Sequence, residues 1–136
     1  MNLDQNNTSK LITLLADLNN RSDAEPFRYP VDYEALGLDD YPLVIKKPID
    51  ISTITENLQS GMYETVEECL DDIQLIWDNC KLYNMENSKI HKIAIKMETL
   101  SRKLVQLGFG EVIYGKNNPS SLALEGRSLP GCNDIG

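Results

Sequence analysis

The chain has 136 residues, enough for one domain with its own core and too few for two of ordinary size. Hydrophobic residues make up 41% and charged residues 25%, the balance of an ordinary globular protein, while the formal net charge is -8 at pH 7. That charge argues against binding a nucleic-acid backbone, which needs a basic surface, and it leaves two readings open, a basic partner or a plain solvated surface.

Met1-Asn2-Leu3-Asp4-Gln5 has neither the basic start nor the apolar run of a leader peptide. No apolar stretch reaches the roughly 20 residues of a membrane span, so a soluble domain is expected. Asn6-Asn7-Thr8-Ser9 offers an N-cap, and Leu11, Leu14, Leu15 and Leu18 follow at helical spacing. Asn19-Asn20 disfavours further helix and ends this first element.

Residues 21–50 are of another kind. Pro26, Pro30, Pro42 and Pro48 forbid a long helix or a central strand. Yet the segment carries Phe27, Tyr29, Val31, Tyr33, Leu36, Leu38, Tyr41, Leu43, Val44 and Ile45, so it must pack on something. Long apolar loops of this sort are more often functional than filler. One short helical turn is expected near Asp32 to Leu36.

Helix resumes at Ile51-Ser52-Thr53-Ile54, with Asp50 or Ser52 as cap, Ile51, Ile54 and Leu58 facing inward, and Gly61 as the stop. Thr65-Val66-Glu67-Glu68 has the form of a capping box. Behind it Val66, Cys69, Leu70, Ile73, Ile76, Trp77, Cys80 and Tyr83 recur at steps of three and four, the most strongly periodic helix in the chain. After Met85-Glu86-Asn87, Ser88 caps a last helix with Ile90, Ile93, Ala94, Met97, Leu100, Leu104 and Leu107 on one face and Gly108 at its end. From Gly115 onward the helical period is lost, which reads as a tail or linker. The expected architecture is all-α, a four-helix bundle with a long loop between helices one and two. Residues 1–7 are expected as an extension, 8–112 as the domain and 113–136 as the tail.

Chemistry is thinly supplied. The cysteines are Cys69, Cys80 and Cys132, and their odd count and wide spacing give neither a disulfide framework nor a zinc site. Cys69 and Cys80 are expected as buried free thiols on one helix face, in a reducing compartment. His91, the single histidine, reads as a partly exposed helix residue rather than a base. Asp71-Asp72 and Glu67-Glu68 are adjacent pairs that point to different sides of a helix, so they are expected as solvated faces. No phosphate-binding glycine loop or metal motif occurs, and no catalytic residue, metal or cofactor is expected.

A binding site has more to work with. Tyr83-Asn84 closes the strongest helix, Ile90 opens the next, and the proline-rich loop must cover part of the bundle. An Asn amide at the base of an apolar cavity suits an uncharged carbonyl, because it donates a hydrogen bond while apolar walls penalise charge.

Pro26-Phe27, Pro30-Val31, Leu36-Gly37-Leu38, Asp40-Tyr41-Pro42, Ile45-Lys46-Lys47-Pro48-Ile49-Asp50 and Asn79-Cys80-Lys81-Leu82-Tyr83-Asn84 occur in an order and at spacings that resemble a bromodomain, over about residues 9 to 107. The resemblance implies a left-handed four-helix bundle that binds N-acetyl-lysine on histone tails. It implies that Asn84 donates to the acetyl carbonyl and that Tyr41 contacts that carbonyl through water. Phe27, Val31, Leu36 and Leu38 would line the pocket from the loop, with Pro26 on the adjoining shelf. Tyr83 and Cys80 would form its helical wall and Ile90 would stand beside the entrance. It further implies acetylated histone tail peptides as partners, other domains of a larger chromatin protein around the module, nuclear location, no direct nucleic-acid or membrane contact, and a monomer.

Two departures stand out. Glu25-Pro26-Phe27 replaces the family's usual Trp-Pro-Phe shelf, and Ile49 stands where methionine is common. With Asp32, Glu34, Asp39, Asp40 and Glu86, Glu25 makes either an acidic rim that favours basic peptides or ordinary solvated loop charge. Glu25 also motivates an alternative, a helical interaction bundle with a degenerate acetyl-lysine pocket. A neighbouring enzymatic domain, such as an acetyltransferase, is a third reading that only a longer chain would test.

Overall fold

A computed structural model describes residues 1–112. Among these residues there are six helical segments and no strand, only an isolated antiparallel bridge between Asn2 and Thr65. The expected tail lies outside the described residues. Helix α1 spans Gln5–Asn19, and the Asp4 carboxylate caps it by accepting from the Asn7 amide. The helix therefore starts one turn before the Asn6–Ser9 cap suggested by the sequence. Asp is among the best N-caps, and once Asp4 takes that place the Asn6 to Ser9 side chains fall on the first turns. Leu11, Leu14, Leu15 and Leu18 are buried, as their spacing requires.

The loop is built from short pieces. A 3-10 helix at Ser22–Phe27 holds Pro26 and buries Ala24 and Phe27. The Asp32 carboxylate and carbonyl then accept from the Ala35 and Leu36 amides, closing the expected turn. Gly37 follows with φ 71°, a conformation that glycine adopts without strain. Helix α2, Tyr41–Val44, is a single turn with Pro42 in its first positions, where the missing N–H costs nothing. Neither the 3-10 helix nor α2 is legible as periodicity, because each is shorter than the repeat that would reveal it.

Helix α3, Ile51–Gln59, settles the choice of cap: Asp50 accepts from Thr53 N, and also from the Ser52 and Thr53 hydroxyls. Gly61 follows with φ 79°. Helix α4, Val66–Tyr83, opens with the full capping box of Thr65 and Glu68 and is buried on most of its circumference. Trp77 is completely buried at its centre, edge-on to Phe27 with ring centroids 5.2 Å apart. Such aromatic pairs add about 0.5–1.5 kcal/mol beyond their area, so this one fastens the loop's start to the core.

Helix α5, Lys89–Phe109, is capped by Ser88, whose hydroxyl accepts from His91 N. Its end differs from expectation: the helix runs past Gly108 to Gly110, which has φ 77°. Its buried face is His91, Ala94, Met97, Ser101 and Val105, and Leu107 is 79% exposed. These residues form a single stripe at steps of three and four, and Val105, not Leu107, continues it in the final turns. Helices α1, α3, α4 and α5 pack around one cluster in which the α1 leucines, Ile54, Ile73, Trp77 and Met97 interlock. This is the expected four-helix bundle.

Two polar expectations are corrected. Asp72 is buried rather than solvated: Tyr63 Oη donates to one carboxylate oxygen at 2.6 Å and Lys47 Nζ to the other at 2.8 Å. Burial, followed by the Asp72 carboxylate, pushes the Tyr63 phenol well above its usual pKa. His91 is buried rather than partly exposed, because it lies three residues before Ala94, on the stripe of α5 that faces the core. Cys69 is fully buried as expected, and Cys80 is partly buried.

Candidate functional site

Helix α4 brings Ile76, Asn79, Cys80 and Tyr83 to one side of its last two turns, and Asn84 stands at its end as the C-cap. The loop arches over this side. Its far end is pinned by Asn79, whose Nδ2 donates to the Lys47 carbonyl at 2.8 Å, and by the Lys47–Asp72 ion pair. Its near end is pinned by Phe27 on Trp77 and by Ser52 N donating to the Arg28 carbonyl. Between arch and helix lies a cavity of about 370 Å³.

All ten sequence-derived site residues border this cavity. Phe27, Val31, Leu36, Leu38 and Tyr41 come from the loop, with Pro26 beside them in the 3-10 helix. Cys80, Tyr83 and Asn84 come from the end of α4, and Ile90 from the start of α5. They are not equally enclosed. Phe27 and Tyr41 are buried, Val31 and Leu38 are half-buried, and Leu36 is 65% exposed at the outer edge.

The polar groups converge. Asn84 is extended, with φ -101° and ψ 150°, and its Nδ2 donates to the Cys80 carbonyl at 2.9 Å. The same nitrogen lies 3.5 Å from Cys80 Sγ, a weak acceptor. A primary amide carries two donor hydrogens, so one of them faces nothing stronger than that sulfur. The Cys80 thiol in turn lies 3.6 Å from the Ile90 carbonyl, to which it can donate. Tyr83 Oη donates to Asp40 Oδ1 at 2.6 Å. The Tyr41 ring meets Tyr83 edge-on at 4.9 Å and stacks on Tyr33 at 5.8 Å.

The Cys80 thiol and the Tyr41 and Tyr83 phenols on the inner walls are neutral at physiological pH. Burial pushes the Cys80 thiol up to about 11, against a smaller opposing effect of the Asn84 hydrogen bond. The hydrogen bond to Asp40 pushes the Tyr83 phenol up to about 12, and burial raises that of Tyr41. The lining holds three acidic side chains and no basic one: Glu25 and Asp32 are exposed at the mouth, and Asp50 is buried and committed to capping α3. Such a cavity can hold an uncharged amide or acyl group by one direct donor and apolar contact.

Sequence reasoning missed Ile76 and Asn79 of helix α4 as lining residues, and it did not place Tyr29, Pro30, Ile49 or Asp50 in the lining either. Ile76 lies four residues before Cys80 and Asn79 four before Tyr83, which puts them on the same face, so the signal was present. Among the described residues, no group of three or more His, Cys, Asp or Glu side chains is arranged to hold a metal ion. No described helix is long and apolar enough to cross a membrane.

Residues 11–96 match the bromodomain family, and the chain belongs to it. The four-helix bundle and its long loop are that family's fold, and the family is one of acetyl-lysine-binding modules. The chain is 39% identical to protein cbp-1 of Caenorhabditis elegans over 90 residues, 66% of this chain and 4% of that protein. It is 40% identical over 88 residues to histone acetyltransferase GCN5 of Debaryomyces hansenii, covering 65% of this chain and 19% of the relative. With bromodomain-containing protein C631.02 of Schizosaccharomyces pombe it shares 37% identity over 95 residues, 69% of this chain and 13% of the other. The likeness thus spans a small part of each of these relatives.

Proposed function

We propose that this chain reads N-acetyl-lysine on histone tails, with Asn84 donating to the acetyl carbonyl and Tyr41 contacting it through a water. The observation that carries this reading is the Asn84 amide, anchored by one hydrogen to Cys80 and presented at a cavity with apolar walls. Acetylation removes the lysine charge, and desolvating an ammonium costs several kcal/mol per ion even after relaxation. A net hydrogen bond contributes about 0.5–1.5 kcal/mol, so exclusion of the charged form does more for selectivity than the amide does for affinity. Unmodified lysine is rejected by desolvation alone, with no dedicated repulsive residue. Binding is modest in strength, because one acetyl-lysine side chain has few atoms to bury.

The exposed Glu25 and Asp32 carboxylates at the mouth, with no Lys or Arg among the lining residues, support basic flanking sequence in the peptide. Residues 8–112 would act as the module, as a monomer within a larger nuclear chromatin protein and without direct nucleic-acid contact. The alternative of a degenerate pocket has less support, since Glu25 alters the rim while the amide and apolar walls remain. Calorimetry with acetylated and unmodified histone peptides tests the reading. Asn84→Ala is expected to weaken acetylated-peptide binding about tenfold or more, the loss of one buried donor. Equal binding by wild type and Asn84→Ala would refute it.

A further inference from the structure

The two side chains proposed to hold the acetyl carbonyl, Tyr41 and Asn84, belong to different elements, and something must set the gap between them. Asp40 and Tyr83, 43 positions apart, are joined by the 2.6 Å hydrogen bond from Tyr83 Oη to Asp40 Oδ1. Asp40 immediately precedes Tyr41 and Tyr83 immediately precedes Asn84, so this bond crosses the gap one residue from each. Asp40 is itself firmly seated, since its carbonyl accepts from the Leu43 and Val44 amides at the start of α2.

The rest of the arch is held locally. Leu36 N donates to Asp32 O, Leu38 N to Tyr33 O and Tyr41 N to Leu38 O, all within the loop. Between Tyr29 and Asp40, among the described residues, the Asp40–Tyr83 bond is the hydrogen bond that leaves the loop for a bundle helix. The Tyr41 ring, resting edge-on against Tyr83 and stacked on Tyr33, moves with it.

We propose that the Asp40–Tyr83 hydrogen bond is a latch that holds the loop in its binding-competent position, with Asp40 a positioning residue that acts on the ligand through Tyr41. This inference rests on the acetyl-lysine reading above. An unlatched loop samples other positions, and apparent affinity falls in proportion to the competent fraction. The latch differs from an acidic rim in one respect: a rim attracts positive charge, whereas a latch serves every ligand of the pocket, charged or not.

The test uses Tyr83→Phe, Asp40→Asn and Asp40→Ala with two ligands, a capped, uncharged Nε-acetyl-lysine amide and a basic acetylated histone-tail peptide. Tyr83→Phe and Asp40→Ala are expected to weaken both ligands by the same factor, about fivefold or more, mainly through slower association. Asp40→Asn retains the acceptor oxygen and is expected to stay within about twofold of wild type. Wild-type affinity of Tyr83→Phe for the uncharged ligand, or an Asp40→Asn as weak as Asp40→Ala, overturns the latch. A loss confined to the basic peptide and erased by salt overturns it too, and assigns Asp40 to rim charge. Failure of the wild type to bind either ligand removes the acetyl-lysine reading instead. The latch is then judged by amide order parameters of residues 30–41, which must fall in Tyr83→Phe if it exists and stay unchanged if it does not.

Discussion

At the scale of single residues, Asn84 and Glu25 would divide the work of recognition in the proposed reader. The Asn84 amide borders a cavity with largely apolar walls, where in the proposed reading it would respond to whether a lysine carries its acetyl group. Glu25 lies outside those walls, exposed at the mouth, where its charge acts through water. Exposed charges contribute about 0.2–1 kcal/mol each and are screened by salt. Glu25→Gln is therefore expected to weaken a basic acetylated peptide about two- to fivefold at low salt. It should leave the uncharged acetyl-lysine amide unaffected, and the difference should vanish near 0.5 M salt, where the screening length is only a few ångström. Calorimetry at two ionic strengths checks this, and an equal loss for both ligands would show that Glu25 shapes the pocket instead. His91 and Asp72 show where single residues were misread. Adjacent acids must point to different sides of a helix, but periodicity does not say which side another element will cover. For Asp72 the covering groups are Tyr63 and Lys47, supplied from outside α4.

At the scale of elements, stability and binding separate cleanly along α4. Its first turn carries the capping box, in which Thr65 Oγ1 accepts from Glu68 N and Glu68 Oε1 from Thr65 N. Its last turn borders the candidate site. Thr65→Ala is expected to destabilise the fold by about 1 kcal/mol, the usual worth of such a cap, and to leave acetyl-lysine affinity unchanged. Denaturant melts and calorimetry on one preparation check both halves of that statement, and a change in affinity would contradict the separation. The long helices were legible because each repeats its apolar contacts over several turns. The loop was legible only in outline. Its prolines exclude regular structure, but its path depends on Asp40 meeting Tyr83 and on Asn79 holding the Lys47 carbonyl, contacts between residues far apart in the chain. The ends of α1 and α5 were each misplaced because a better cap lay beyond the first acceptable one: Asp4 before Asn6, and Gly110 after Gly108.

At the scale of the whole molecule, the weak acids whose pKa the fold raises set a limit to alkaline stability. Burial raises the Cys69 thiol to about 12 and the Cys80 thiol to about 11, and the Tyr83 phenol stands at about 12. In the unfolded chain thiols ionise near 8.5 and phenols near 10. Above those values the unfolded state has released protons that the folded state still holds, so folding becomes less favourable as pH rises. Stability from these groups is complete below about pH 8.5 and is lost progressively through the folded values near 11 to 12. Chemical denaturation is expected to give a lower midpoint at pH 10.5 than at pH 8, with the two buried thiols alone accounting for about 2 kcal/mol or more. A flat or rising profile would count against their burial. The role assigned to each pocket residue came from family resemblance, whereas their convergence on one cavity is a property of the fold.

Phe27 borders the cavity and belongs to the buried core through Trp77, whereas Val31, Leu36 and Leu38 border the same cavity without joining that core. One side of the pocket is thus foundation and the other is furnishing. Natural variation or protein engineering can reshape the Val31–Leu38 side for a different acyl group while the bundle stays as it is. A change at Phe27 alters the ligand chamber and the hydrophobic interior together, so that position has little freedom to drift.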